Sequence, residues 1–218
     1  MIDKKLKPQQ IKTFKQREEE VLKADEDGFI DIRNIEWFAD EIFAAGDKAW
    51  GLEILRKIED FAENFYDLEG VMDRLDKLNE KDRLLTLIKK AEPLIEKEDY
   101  GVSGCYLSSA NYMVSIDEKY ARELYAKSKE KAVDFNEFNS LADAIADDNY
   151  LGDKKNGLKI HLQSITLIDH KDHHNQLSQS AQVVKSLINL GEISEESEKV
   201  NFNDSIKILT DYRKKNNL

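Results

Sequence analysis

Apolar side chains recur along this chain at intervals of three and four, and a longer period is laid over the short one. Four sets carry the short interval: Ile35/Phe38/Ala39/Ile42, Leu68/Val71/Met72/Leu75, Tyr106/Ser109/Ala110/Met113 and Phe138/Leu141/Ala142/Ile145. Steps of 3, 1 and 3 put each set on one face of an α-helix. After each set comes a turn signal and a second amphipathic run. The signals are Gly46-Asp47-Lys48, Asn79-Glu80-Lys81, Ile116-Asp117-Glu118 and Gly152-Asp153-Lys154, spaced 33, 37 and 36 residues apart. Five residues after the start of each signal stand Gly51, Leu84, Ala121 and Gly157, and seven further on stand Ile58, Ala91, Ser128 and Ser164. Most of these are small, and small side chains let helix backbones approach closely. A period of this length predicts helix–turn–helix units over residues 30–62, 63–96, 97–132 and 133–169.

The two ends depart from the period. Residues 9–24 predict a capping helix with Ile11, Phe14, Val21 and Leu22 inward and charges outward, since a terminal unit needs a polar outer face. Residues 170–218 predict a degenerate unit and tail. Within it a helix over 172–190 carries Leu177, Ala181, Val184 and Leu187, and Gly191 stops it. A polar loop over 192–202 follows. Asn203 then caps a last helix through Ile206, Leu209 and Tyr212, and a tail frays from Lys214. Proline occurs only at Pro8 and Pro93, so little interrupts the helical hydrogen bonds. The expected fold is all-α: a single domain forming an α-α superhelix (solenoid) of four to five units with an N-terminal capping helix.

The segment Gly46-Asp47-Lys48-Ala49-Trp50-Gly51, continued through Leu55 and Ile58, resembles the second half of a tetratricopeptide repeat in degenerate form. So does Ile116-Asp117-Glu118-Lys119-Tyr120-Ala121, continued through Tyr125 and Ser128. The resemblance covers about residues 30–169. Glu63, Glu96, Val133 and Asp169 stand where the family has its repeat-ending proline, Leu84 replaces a small residue, and His161 replaces an aromatic one. The resemblance implies that the first helix of each unit lines a concave groove. It assigns Arg33, Glu36 and Asp40 to that groove from the first unit and Tyr66, Glu69 and Asp73 from the second. Leu107 and Asn111 come from the third, and Asn136, Asn139 and Asp143 from the fourth. The family's clamp for a peptide carboxylate uses Lys, Arg and Asn, whereas this set holds one Arg among carboxylates and amides. The groove therefore suits a basic or amide-rich protein segment, with carboxylates steering association and Tyr66 as an anchor.

Charge agrees. Lys and Arg total 33 against 44 Asp and Glu, a formal net charge of −11. Such a balance argues against nucleic acid and against anionic membranes, both of which call for basic faces. The N-terminus shows no signal peptide, and no run approaches the roughly 18 apolar residues of a membrane span, which points to the cytoplasm. The single cysteine, Cys105, reads as a small buried apolar residue. Trp37 and Trp50 read as core or inter-helix packing, and the runs Asp25-Glu26-Asp27, Asp147-Asp148 and Glu195-Glu196 as solvated charge.

No phosphate loop, nucleophile elbow or Cys-x-x-Cys pair is present, and no cofactor is expected. The four histidines, His161, His170, His173 and His174, fall in one stretch. If a helix ran through them, His170 and His174 would stand one turn apart beside Asp169 and Asp172 and could hold a divalent metal. A polar junction between units is the plainer reading. The leading expectation is a protein–protein interaction module, a scaffold or adaptor with a basic protein partner, existing as a monomer or weak dimer. Two alternatives stand beside it: an inhibitor of a basic toxin or nuclease, in the manner of bacterial immunity proteins, and a metal-dependent hydrolase built on the His161–His174 stretch.

Overall fold

The computed structural model describes residues 6–194 and 204–216. All its regular elements are helical. They are α1 (Pro8–Val21), α2 (Ile32–Ala45), α3 (Lys48–Phe61), α4 (Phe65–Lys77), α5 (Lys81–Ile95), α6 (Val102–Met113), α7 (Glu118–Lys131), α8 (Phe135–Ala146), α9 (Lys154–Ser164), α10 (His173–Asn189) and α11 (Ser205–Lys215). A 3-10 turn, Ile165–Leu167, extends α9. Glu195, Glu196 and Asn203 lie outside the described residues. No described helix is long and apolar enough to cross a membrane.

The chain forms two compact units, Met1–Glu98 and Asp99–Leu218. In the first, α2 pairs with α3 and α4 with α5, and α4 packs on α2 and α3. In the second, α6 pairs with α7, α8 with α9 and α10 with α11. There α8 packs on α6 and α7, and α10 on α8 and α9. Within each unit, therefore, every helical hairpin lies against the next one in sequence.

The turn signals act as helix caps. Gly46 (φ 95°), Asn79 (φ 57°) and Gly152 (φ 61°) turn the chain through left-handed backbone conformations. Asp47, Asp117 and Asp153 then take the first position before α3, α7 and α9, each side chain accepting a hydrogen bond from a backbone N–H three residues on. The second helices of the first four hairpins, α3, α5, α7 and α9, bury the same four positions. They are Gly51/Ile54/Leu55/Ile58, Leu84/Leu87/Ile88/Ala91, Ala121/Leu124/Tyr125/Ser128 and Gly157/Ile160/His161/Ser164. The first helices bury their expected sets, except that Phe138 is half-buried, with Phe135 in the core instead, and Ala181 of α10 is half-buried. Phe135 joins Ile165, Ile168, Val183, Val184, Leu187 and Leu209 in one apolar cluster. Cys105 is buried as expected.

Three expectations fail. Helix α1 buries no residue, and Ile11 is exposed. Polar and aromatic contacts hold α1 instead: Phe14 meets the edges of Phe38 and Trp50, Arg17 pairs with Glu41, and the Glu18 carboxylate accepts from Trp50 Nε1 and Lys57. Trp37 is not a core residue but 60% exposed, because α2 turns Ile35, Phe38 and Ala39 inward and leaves Trp37 between them on the outer face. Lys214 and Lys215 belong to α11 rather than to a frayed tail.

Candidate functional site

In the first unit a cleft of about 980 Å³ opens between the start of α2, the end of α3 and the first turns of α4. Local sequence builds each wall. The loop before α2 closes on itself: Asp25 N donates to Phe29 O at 2.9 Å, Gly28 N donates to Asp25 O, and the Asp25 side chain accepts from the N–H groups of Asp27 and Phe29. Gly28 takes φ +84°, which L side chains rarely adopt, so glycine completes the loop that presents Phe29. Across the cleft Asn64 and Asp67 cap α4 reciprocally, and Asp67 also accepts from Glu63 N. Phe65 anchors that turn in the core and meets Tyr66 edge-on, with centroids 5.9 Å apart.

Three aromatic rings that a core would normally absorb are left accessible here: Phe29 is 65% exposed, Tyr66 50% and Phe61 37%. Around them stand six carboxylates, Asp31, Glu36, Asp60, Glu63, Asp67 and Glu69, against one cationic lining residue, Arg33. The Asp31 side chain caps α2, accepting from the N–H groups of Arg33 and Asn34.

At the back of the cleft α2 and α4 are joined through Arg74. Its Nε and Nη2 donate to the two oxygens of Asp40 at 2.9 and 2.8 Å, Nη1 donates to the Gly70 carbonyl at 2.9 Å, and Glu36 Oε2 lies 3.3 Å away. Gly70 makes this possible, since a methyl group there would overlap the Glu36 carboxylate. Burial pushes the Glu36 carboxyl above its ordinary 4.5, and the attraction of Arg74 only partly offsets it. Burial also works against the charge on Arg74, yet the Asp40 bonds and the Glu36 field outweigh it and raise its pKa.

The residues expected in a single groove separate into groups. Arg33, Glu36, Tyr66 and Glu69 line this cleft. Asp40 is taken up by Arg74, and Asp73 pairs with Lys77 one turn along α4. In the second unit Asn111 accepts a hydrogen bond from Tyr125 Oη at 2.7 Å, and burial raises the Tyr125 phenol above its ordinary 10.0. Leu107 is half-buried and Asn136 exposed. Asn139 and Asp143 meet His161 and Ser186 beside a second cleft of about 720 Å³. The Asn139 amide donates to Asp143 Oδ2 at 3.2 Å, so its oxygen, 3.1 Å from His161 Nδ1, accepts a proton held on that nitrogen. His161 Nε2 lies 3.1 Å from Asp143 Oδ1 without the alignment of a hydrogen bond, and Ser186 Oγ donates to the same oxygen at 2.8 Å. The serine hydroxyl is thus bonded to the carboxylate rather than to the imidazole, which is not the pairing that activates a nucleophile.

The histidine stretch does not act as one group. Asp172 caps α10, so the helix begins at His173 and His170 lies in the preceding loop, where its Nδ1 is 2.9 Å from Gln176 Nε2. The one-turn spacing of His170 and His174 is therefore absent. His161 packs near Ser186, twelve residues and roughly 18 Å along α10 from His174. Among the described residues no group of three or more His, Cys, Asp or Glu could hold a metal ion.

Sequence reasoning placed Tyr66 and the carboxylates of α2 and α4 on an exposed face but missed Phe29 and Phe61. A signal for Phe29 was present: an aromatic residue directly after Asp25-Glu26-Asp27-Gly28 has no helical register to bury it. No protein-family model, curated protein or solved structure matches this chain.

Proposed function

We propose that this protein is a protein–protein interaction module, of degenerate tetratricopeptide type and acting in the cytoplasm, whose first-unit cleft captures a basic segment of a partner protein. The observation that carries this reading is the pairing of six carboxylates with three accessible aromatic rings in one concave site. Exposed rings supply contact area that is lost from water on binding, and Tyr66 is already packed edge-on against Phe65. The surrounding carboxylates raise the local concentration of a cationic segment and disfavour an anionic one. The overall charge of −11 acts in the same direction.

The test separates binding from folding. Reversing Asp40 would unpair the guanidinium of Arg74, so it is the wrong choice. Asp60 and Glu63 line the cleft and are exposed, and a lysine at position 60 also suits the C-terminal end of α3. The double variant Asp60→Lys/Glu63→Lys should keep its helical circular dichroism and bind a fluorescein-labelled nine-residue peptide of mixed Arg and Lys at least tenfold more weakly than the parent chain. An unchanged affinity, or a parent chain that ignores the peptide at low salt, contradicts the proposal.

A further inference from the structure

We infer that the anchoring group of the partner segment is the guanidinium of arginine, not the ammonium of lysine. This deepens the reading above and rests on it. A site that needed only positive charge could be built from carboxylates alone. Here the carboxylates frame rings, and rings discriminate between the two cations. A guanidinium is planar and weakly hydrated, so it can lie flat on an aromatic face while its edge donates paired hydrogen bonds to a carboxylate. An ammonium is a compact, strongly hydrated point charge that gives up more water to do the same. Tyr66 and Phe29 both line the cleft, Tyr66 packed edge-on against Phe65 and Phe29 carried by the hydrogen-bonded backbone of the Asp25–Gly28 loop. Glu63 and Glu69 border the same space as Tyr66.

The chain also shows how this seam treats a guanidinium. Arg74 lies mostly buried between α2 and α4 with both oxygens of Asp40 engaged by two of its nitrogens and Glu36 alongside, the paired geometry that only arginine provides. Glu36 and Gly70, which contact that internal arginine, also line the cleft. An incoming arginine would meet the same kind of carboxylate wall from the open side, with rings where Arg74 has helix backbone.

The experiment uses the full chain and two labelled peptides of equal length and charge, five arginines or five lysines alternating with glycine, measured by fluorescence anisotropy at one ionic strength. The arginine peptide should bind at least fivefold more tightly. In Tyr66→Ala and Phe29→Ser, both altered at exposed positions, the arginine peptide should fall to within twofold of the lysine peptide, whose own affinity changes little. Equal affinities in the parent chain overturn the arginine assignment and leave the basic-segment proposal standing. Failure of both peptides to bind overturns both. Equal losses for the two peptides in the ring variants show that the rings do not select, and also overturn the assignment.

Discussion

At the scale of single residues, the Arg74 cluster shows that three neighbouring charges need not contribute alike. The folded chain holds the Glu36 proton more tightly than the unfolded chain does. Its contribution to stability is therefore present below its ordinary 4.5 and is lost as the pH rises through the raised value. At pH 7 the charged Glu36 is not a favoured group of the fold, and Glu36→Gln should leave stability nearly unchanged. Asp40→Asn is a different matter: Arg74, mostly buried, would keep the Gly70 carbonyl and the more distant Glu36 carboxylate but lose its paired carboxylate. Asp40 is itself half-exposed, so the cost falls below that of a fully buried pair, at about 1–2 kcal/mol. Urea unfolding of the two variants at pH 7 checks the order, and a Glu36→Gln loss larger than that of Asp40→Asn would refute it. Glu36 and Asp40 could both be placed on an exposed helix face from their spacing. Their different roles could not, because Arg74 reaches them from another helix 34 to 38 residues away in sequence.

At the scale of elements, most of what the sequence disclosed lies in caps and helix faces. Asp47, Asp117 and Asp153 follow turn residues and precede apolar runs, and each caps a helix as that order implies. The start of α10 follows the same logic: Asp172 caps it, the helix begins at His173 within the expected stretch 172–190, and His170 stays in the loop before it. Helix α1 could not be read correctly because its packing is neither a stripe nor a buried face, but Phe14 and Glu18 reaching Trp50. Trp37 likewise reads as apolar, though its place on α2 faces away from Phe38 and Ala39. Helix approach makes a sharper prediction. At Gly157 a methyl group would come within 2.9 Å of the Ala142 carbonyl oxygen and would overlap Ala146, so α9 could not stay as close to α8. Alanine is favoured over glycine in a free helix by about 1 kcal/mol. Gly157→Ala should nevertheless destabilise the protein by about 1–3 kcal/mol, visible as a lowered midpoint in thermal unfolding. A stabilised variant would show that the two helices have room to spare.

At the scale of the whole molecule, a recurring period of about three dozen residues gives hairpins packed in series within each unit, and α3, α5, α7 and α9 bury the same four positions. Where the period strains, it does so through chemistry: His161 occupies the place of Leu55, Ile88 and Tyr125, and its ring is accommodated by Asn139 and Asp143. The net charge of −11 was legible from composition, but its concentration around Phe29, Phe61 and Tyr66 was not, since those rings come from a loop, a helix end and a helix start. A basic ligand should settle in the first-unit cleft and not beside His161. Titrating the isotopically labelled full chain with the five-arginine peptide and following backbone amide shifts by nuclear magnetic resonance locates it directly. The shifts should change progressively for residues 28–36 and 60–70 and stay still around His161 and Ser186. Changes confined to the second unit, or spread evenly over acidic positions of both, would contradict the assignment of the cleft.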